Sequence, residues 1–170
     1  MAQLNRRNRR GRGKRLRLAV AVLVLAALVV TLALGLFLSN RSRSARELFE
    51  EGQRAFNKGN YQDAVNLYSE GLKKMPESSE GYNLLGMAYR FQANQTDDAG
   101  LREKEVAAFR EAVRLAPEDP TPYVNLGATL FYMGKTAEAA TYLKKALELY
   151  PDHPDRADIE RMIRQAESTR

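Results

Sequence analysis

Two patterns of apolar residues follow one another along the 170-residue chain. Residues 18–38, LAVAVLVLAALVVTLALGLFL, are apolar throughout, and only Thr31 and Gly35 interrupt the aliphatic and aromatic side chains. At about 1.5 Å of rise per residue this run predicts a helix of roughly 30 Å, the thickness of a bilayer's hydrocarbon layer. From Ser44 onward the apolar positions recur with a helical period, and Gly and Pro punctuate them at regular distances. The pattern therefore predicts a membrane span followed by a series of amphipathic helices.

Those distances reveal a repeat. Gly52 and Gly86 are 34 residues apart, Gly86 and Gly127 are 41 apart, Pro76 and Pro117 are 41 apart, and Pro117 and Pro151 are 34 apart. One seven-residue insertion in the middle copy accounts for both longer intervals. The third copy carries Tyr123, Leu126, Gly127 and Leu130, then Ala139, Leu143, Ala146 and Pro151. The second carries Tyr82, Leu85, Gly86 and Tyr89, then Phe109, Ala112 and Pro117; the first carries Leu48, Gly52 and Ala55, then Ala64, Tyr68 and Pro76. Over residues 45–153 the chain resembles the tetratricopeptide repeat (TPR) family, whose 34-residue unit is a helix–turn–helix with these landmarks.

The resemblance implies an all-α fold: a three-repeat solenoid (45–78, 79–119 and 120–153) behind one N-terminal transmembrane helix (18–38) and a short linker (39–44). In the family's geometry the glycine of each first helix faces an alanine early in the second, as Gly52 with Ala64 and Gly127 with Ala139 would do. Glu105 stands at that alanine position in the middle copy, which predicts a shifted second helix there. Gly71 replaces the alanine seen at Ala112 and Ala146, a weak point in helix propensity. Ser44-x-x-Glu47 has the form of a capping box, and Asp119-Pro120 suits an N-cap followed by a first helical position. Beyond Pro151, Ile159, Met162, Ile163 and Ala166 share one face, predicting a capping helix within 154–170 that closes the open end of the array.

Charge changes the picture of where the chain resides. Residues 1–44 hold ten Lys/Arg and no acid, whereas residues 45–170 hold seventeen Lys/Arg against twenty-one Asp/Glu. The high overall pI thus comes from one basic tail (1–17), and nucleic acid is not an expected partner. Eight basic residues precede the apolar run, while Arg41, Arg43 and Arg46 follow it, so the tail is expected in the cytoplasm. In a bacterial inner membrane this puts the repeats in the periplasm. The run exceeds the usual apolar region of a cleaved signal peptide, which favours an uncleaved single-pass anchor. With no cysteine, acylation and disulfides are excluded.

Catalytic groupings are not evident. His153 is the only histidine, so a metal site has no second imidazole or thiolate, and its expected role is a loop or helix cap. The stretch 94–105, NQTDDAGLREKE, fails as a calcium loop because Gln95 and Ala99 fall at ligand positions, and it reads as a solvated insertion loop. No enzyme activity, cofactor, metal or small-molecule substrate is expected.

Function in the TPR family resides in a groove built by the first helices, as the resemblance implies. The groove-facing positions are Arg46, Phe49, Gln53, Phe56 and Asn57 in the first copy, and Glu80, Asn83, Met87, Arg90 and Phe91 in the second. In the third they are Thr121, Val124, Ala128, Phe131 and Tyr132. Such an apolar, aromatic surface suits a protein or peptide partner, with Asn57, Asn83 and Arg90 supplying orientation. Some family members clamp a partner's C-terminal carboxylate with Lys and Asn where this chain has Phe49 and Gln53, so that mode is not expected here. Ala27, Thr31 and Gly35 form a small-residue face on the membrane helix able to pack on another helix. The expected function is a membrane-anchored adaptor or scaffold in envelope assembly, secretion or protein maturation. The alternative is an accessory subunit of a membrane complex, held through that helix.

Overall fold

The computed structural model describes residues 24–26, 28–31 and 43–168. Residues 24–26 and 28–31 are helical, and the Thr31 hydroxyl donates to the Leu28 carbonyl at 2.9 Å. The rest of the 18–38 run, Ala27 and Gly35 included, and the basic tail lie outside the described residues. Among the described residues no helix is long and apolar enough to cross a membrane. The chain divides into two units, residues 1–42 and 43–170.

The described residues of the second unit form seven helices: α1 (Ala45–Asn57), α2 (Tyr61–Lys74), α3 (Ser79–Thr96), α4 (Ala99–Leu115), α5 (Pro120–Tyr132), α6 (Thr136–Leu149) and α7 (Arg156–Ser168). Their ends follow the local chemistry. The Ser44 hydroxyl accepts the Glu47 amide at 3.2 Å while the Glu47 carboxylate accepts the Ser44 amide at 2.7 Å, completing the expected capping box. Asp119 caps α5 by accepting the Thr121 amide at 2.9 Å, with Pro120 as the first helical residue. Pro76, Pro117 and Pro151 follow the ends of α2, α4 and α6. Gly59 and Gly134 take φ of +79° and +75° at the α1–α2 and α5–α6 turns, a conformation glycine adopts without steric cost.

The middle copy departs from the expected loop. Residues 94–96 end α3 and residues 99–105 open α4, with Asp97 in the left-handed region (φ 54°) at the joint. At 18 and 17 residues these helices exceed α1 and α2, at 13 and 14, by more than a turn between them. The insertion thus lengthens helices whose hydrogen bonds continue, and the segment is not a solvated loop.

Each helix packs chiefly on its sequence neighbours, so the core is a chain of clusters and not a single centre. Tyr68, Leu72, Leu85, Ala88 and Ala108 join α2, α3 and α4; Phe109, Leu126, Leu130 and Ala139 join α4, α5 and α6. Leu143, Ile159 and Ile163 join α6 to α7, with Met162 packed at the edge, so the final helix covers the array as its apolar face predicts. Burial of each leucine, isoleucine or phenylalanine side chain among these contributes about 1.5–3 kcal/mol.

The role of the glycines differs from the expected pairing with alanine. A Cβ on Gly52 would meet the Tyr68 ring at 2.5 Å, one on Gly86 the Phe109 ring at 2.6 Å, and one on Gly127 Leu143 Cγ at 2.6 Å. The notch admits a large side chain one turn beyond the buried Ala64, Glu105 and Ala139. Gly71 is likewise no mere weak point: its missing Cβ leaves room for the Phe49 ring, which would otherwise approach to 2.4 Å. The second and third copies have Asn83 and Val124 where the first has Phe49, and accordingly keep Ala112 and Ala146.

Candidate functional site

The first helices, α1, α3 and α5, position two pockets. One, of about 450 Å3, lies between α1 and α3, lined by Arg46, Phe49, Glu50, Gln53, Glu80 and Leu84 with Met75 and Ser78. The other, of about 550 Å3, is bounded by Arg90 and Asn94 of α3, Arg102 and Glu105 of α4, and Ala128, Thr129, Tyr132 and Met133 at the end of α5.

The predicted groove residues divide by environment. Phe49 is half-buried, wedged at Gly71 and Gly81 with its ring centroid 6.5 Å from that of Tyr68, so it serves packing as well as the pocket wall. Phe56 and Phe91 stack edge-on at 5.1 Å and enclose Tyr61, tying the first copy to the second. Gln53 donates to Asn57 at 2.9 Å and receives the Tyr68 hydroxyl at 3.4 Å. Met87 and Phe131 pack against the Phe109–Leu130 cluster, and Val124 packs against Leu143 and its neighbours. Asn83 accepts from Asn125 at 2.9 Å, a bond from α3 to α5. Tyr132 stands apart: it is 82% exposed, touching Phe131 edge-on.

Arg90, expected to face the groove, belongs to a polar network that joins α3, α4 and α5. Its Nε donates to Glu105 at 2.7 Å and its Nη2 to the Asn125 carbonyl and the Thr129 hydroxyl at 2.9 and 2.8 Å, while the guanidinium lies 4.9 Å from the Phe109 ring centroid. Glu105 is fully buried; Arg102 donates to it from α4 at 2.9 Å, and Thr129 from α5 at 2.6 Å. Arg102 also donates to Asn94. A buried carboxylate requires compensation by opposite charge and hydrogen bonds, and here it has both. The acid at a position occupied by alanine in the other two copies, with an arginine on the facing helix, was the available signal. Asn125, Thr129 and Arg102 had none of their own.

At the end of the array His153 Nδ1 accepts the Asp155 amide at 3.0 Å in the turn before α7, the loop alternative of the loop or helix-cap role expected of it. Arg43, one of the basic residues following the apolar run, pairs with Glu51 at 2.5 Å and Glu70 at 3.3 Å, attaching the start of the second unit to α1 and α2.

Comparison with known proteins agrees with this architecture. Two family profiles, both described as tetratricopeptide repeat, match residues 49–120 and 120–153. The human protein O-mannosyl-transferase TMTC1 is 32% identical over 93 residues, which is 55% of this chain and 10% of that protein. The photosystem I assembly protein Ycf3 of Synechococcus sp. (strain CC9605) is 30% identical over 102 residues, 59% of this chain and 56% of its own length. The match therefore spans about half of Ycf3 and a small part of the transferase. Among solved structures, the first TPR of Spaghetti (RPAP3) bound to HSP90 peptide SRMEEVD superposes with a TM-score of 0.65 and 26% identity, covering 75% of this chain and 95% of that one.

Proposed function

The chain belongs to the tetratricopeptide repeat family, and on that premise we propose that it is a membrane-anchored adaptor whose first helices hold a segment of a protein partner. Its repeats form a protein–protein interaction domain, a module that typically binds and does not catalyse. The observation that carries the reading is Tyr132: a large aromatic side chain, 82% exposed, lining a pocket in which Arg90, Asn94, Arg102, Glu105 and Thr129 are held by hydrogen bonds to one another. A rigid amphipathic ring in such a place is the usual form of an interface anchor.

Anchoring is supported by the 18–38 run and by Val24, Leu25, Leu28, Val29 and Val30, each between 54% and 64% exposed along a helical stretch. Such a surface is costly in water and suited to lipid. The basic tail supports a cytoplasmic N-terminus and repeats on the periplasmic side of a bacterial inner membrane. The likeness to a photosystem I assembly protein supports a role in assembling or maturing other membrane or exported proteins.

A photo-crosslinking amino acid at Tyr132 of the full chain, in intact membranes, is expected to capture a discrete protein partner, and a reporter fused after Arg170 to be active only outside the cytoplasm. Absence of any specific adduct at Tyr132 would refute the groove reading; a reporter active inside the cytoplasm would refute the topology. Copurification at fixed stoichiometry that survives Tyr132→Ala but is lost with Gly35→Leu would instead identify an accessory subunit held through the Ala27, Thr31 and Gly35 face.

A further inference from the structure

The larger pocket carries an unbalanced charge. Among its lining residues Glu105 is the single carboxylate and Arg90 and Arg102 are both cationic. Glu105 has no exposed surface, and both of its oxygens are occupied, Oε1 by Arg90 and Thr129 and Oε2 by Arg102. Arg90 spends most of its donors on Glu105, Asn125 and Thr129. Arg102 uses only Nη1 on Glu105 and Nη2 on Asn94, keeps a third of its side chain open, and pairs with no other acid among the described residues. One positive charge is therefore left uncompensated in a pocket partly withdrawn from water, where it attracts an anion more strongly than a surface charge would. Ala128, Met133 and Tyr132 supply an apolar remainder to the same pocket.

Resting on the groove reading above, we infer that this pocket takes an aspartate or glutamate side chain of the partner segment, its carboxylate on the open N–H groups of Arg102 and an adjoining apolar residue against Tyr132. Bidentate or charge-assisted contact with a planar carboxylate is what a guanidinium fork is shaped for. A monoanion balances the pocket, whereas a phosphate dianion would leave net negative charge beside the buried Glu105.

The probe is N-acetyl-glutamate α-amide, with N-acetyl-glutamine α-amide as its neutral isostere, titrated into the full chain while the Nε–Hε resonances of Arg90 and Arg102 are followed by NMR. A fragment of this size binds at about the millimolar level. Saturable shifts with the glutamate compound and none with the glutamine compound are expected. Arg102→Gln, which leaves Glu105 paired with Arg90, is expected to weaken binding about tenfold or more as read at Arg90, and Arg102→Lys to restore part of it. Equal response to both compounds, response retained in Arg102→Gln, or no saturation up to about 100 mM would overturn the inference; should Arg102→Gln fail to fold, the glutamate-over-glutamine selectivity of the native chain and the Lys variant decide. Failure of the groove reading is distinguishable, because a partner crosslinked at Tyr132 and still bound by Arg102→Gln refutes only the carboxylate site.

Discussion

Substituting Gly71 by alanine sets two physical effects against each other. Gly71 lies in the last part of α2, and alanine is favoured over glycine in a helix interior by about 0.8–1.0 kcal/mol. Local propensity alone therefore predicts stabilisation. In the fold, however, the new Cβ would stand 2.4 Å from Phe49 Cε1 and 2.7 Å from Cδ1, so the ring must retreat by about 1 Å to reach ordinary contact. It has little room to do so, because the same ring fills the notch at Gly81 and leans on Tyr68. Overpacking of this kind costs about 1–3 kcal/mol. The net expectation is a loss of about 1 kcal/mol, or a melting temperature lower by about 3 °C, measured by urea and thermal unfolding followed by circular dichroism. The control is the third copy's own solution: in a Phe49→Val background, which removes the ring, Gly71→Ala should stabilise by about 1 kcal/mol, giving a coupling energy of about 2 kcal/mol. If Gly71→Ala stabilises the native chain, or if the two substitutions are additive, the account of Gly71 as the seat of Phe49 is wrong.

Two further outcomes follow from buried polar groups. Glu105→Ala restores the alanine of the first and third copies, yet it should cost about 1–3 kcal/mol in urea unfolding because the partly buried Arg90 and Arg102 lose their shared counter-charge; a neutral effect would show that the network is dispensable. Burial pushes the Tyr68 phenol up to about 12, and burial also raises Tyr89. The unfolded phenol ionises near pH 10 while the folded one stays neutral, so this stabilisation is complete below about pH 10 and is lost as pH rises towards about 12. Tyr68→Phe should flatten that alkaline decline in stability, and an unchanged slope would remove Tyr68 from its cause.

Much of the fold was legible because it is written in local periods. The spacing of Gly52, Gly86 and Gly127 against Pro76, Pro117 and Pro151 marks three helix pairs, Ser44 and Asp119 mark helix starts, and the stripe from Ile159 to Ala166 marks the final covering helix. Each of these signals acts within one or two turns, so it needs no knowledge of what lies across the core. The stretch 94–105 was misjudged for the same reason: its polar residues suit solvent, but a helix extended by a turn also exposes them to solvent, and composition does not separate the two.

The candidate site was less legible. A position on a first helix locates a side chain on a face but not its neighbour, and so Phe49, Phe56 and Phe91 read as groove aromatics although each is partly spent on packing between helices. The exposure of Tyr132 and the meeting of Arg90, Arg102, Glu105 and Thr129 around one pocket became visible only in three dimensions.

By itself the sequence determined the number and order of the helices in the repeat unit, the caps at Ser44 and Asp119, and the continuous apolar run at 18–38, because each depends on residues close together in the chain. Tertiary structure alone decided which large side chain fills each glycine notch and how Glu105 is neutralised. Apart from the Arg102–Glu105 pair within one helix, those outcomes depend on contacts between helices made by residues 15 or more positions apart, where sterics and charge compensation act through space and leave no period in the chain.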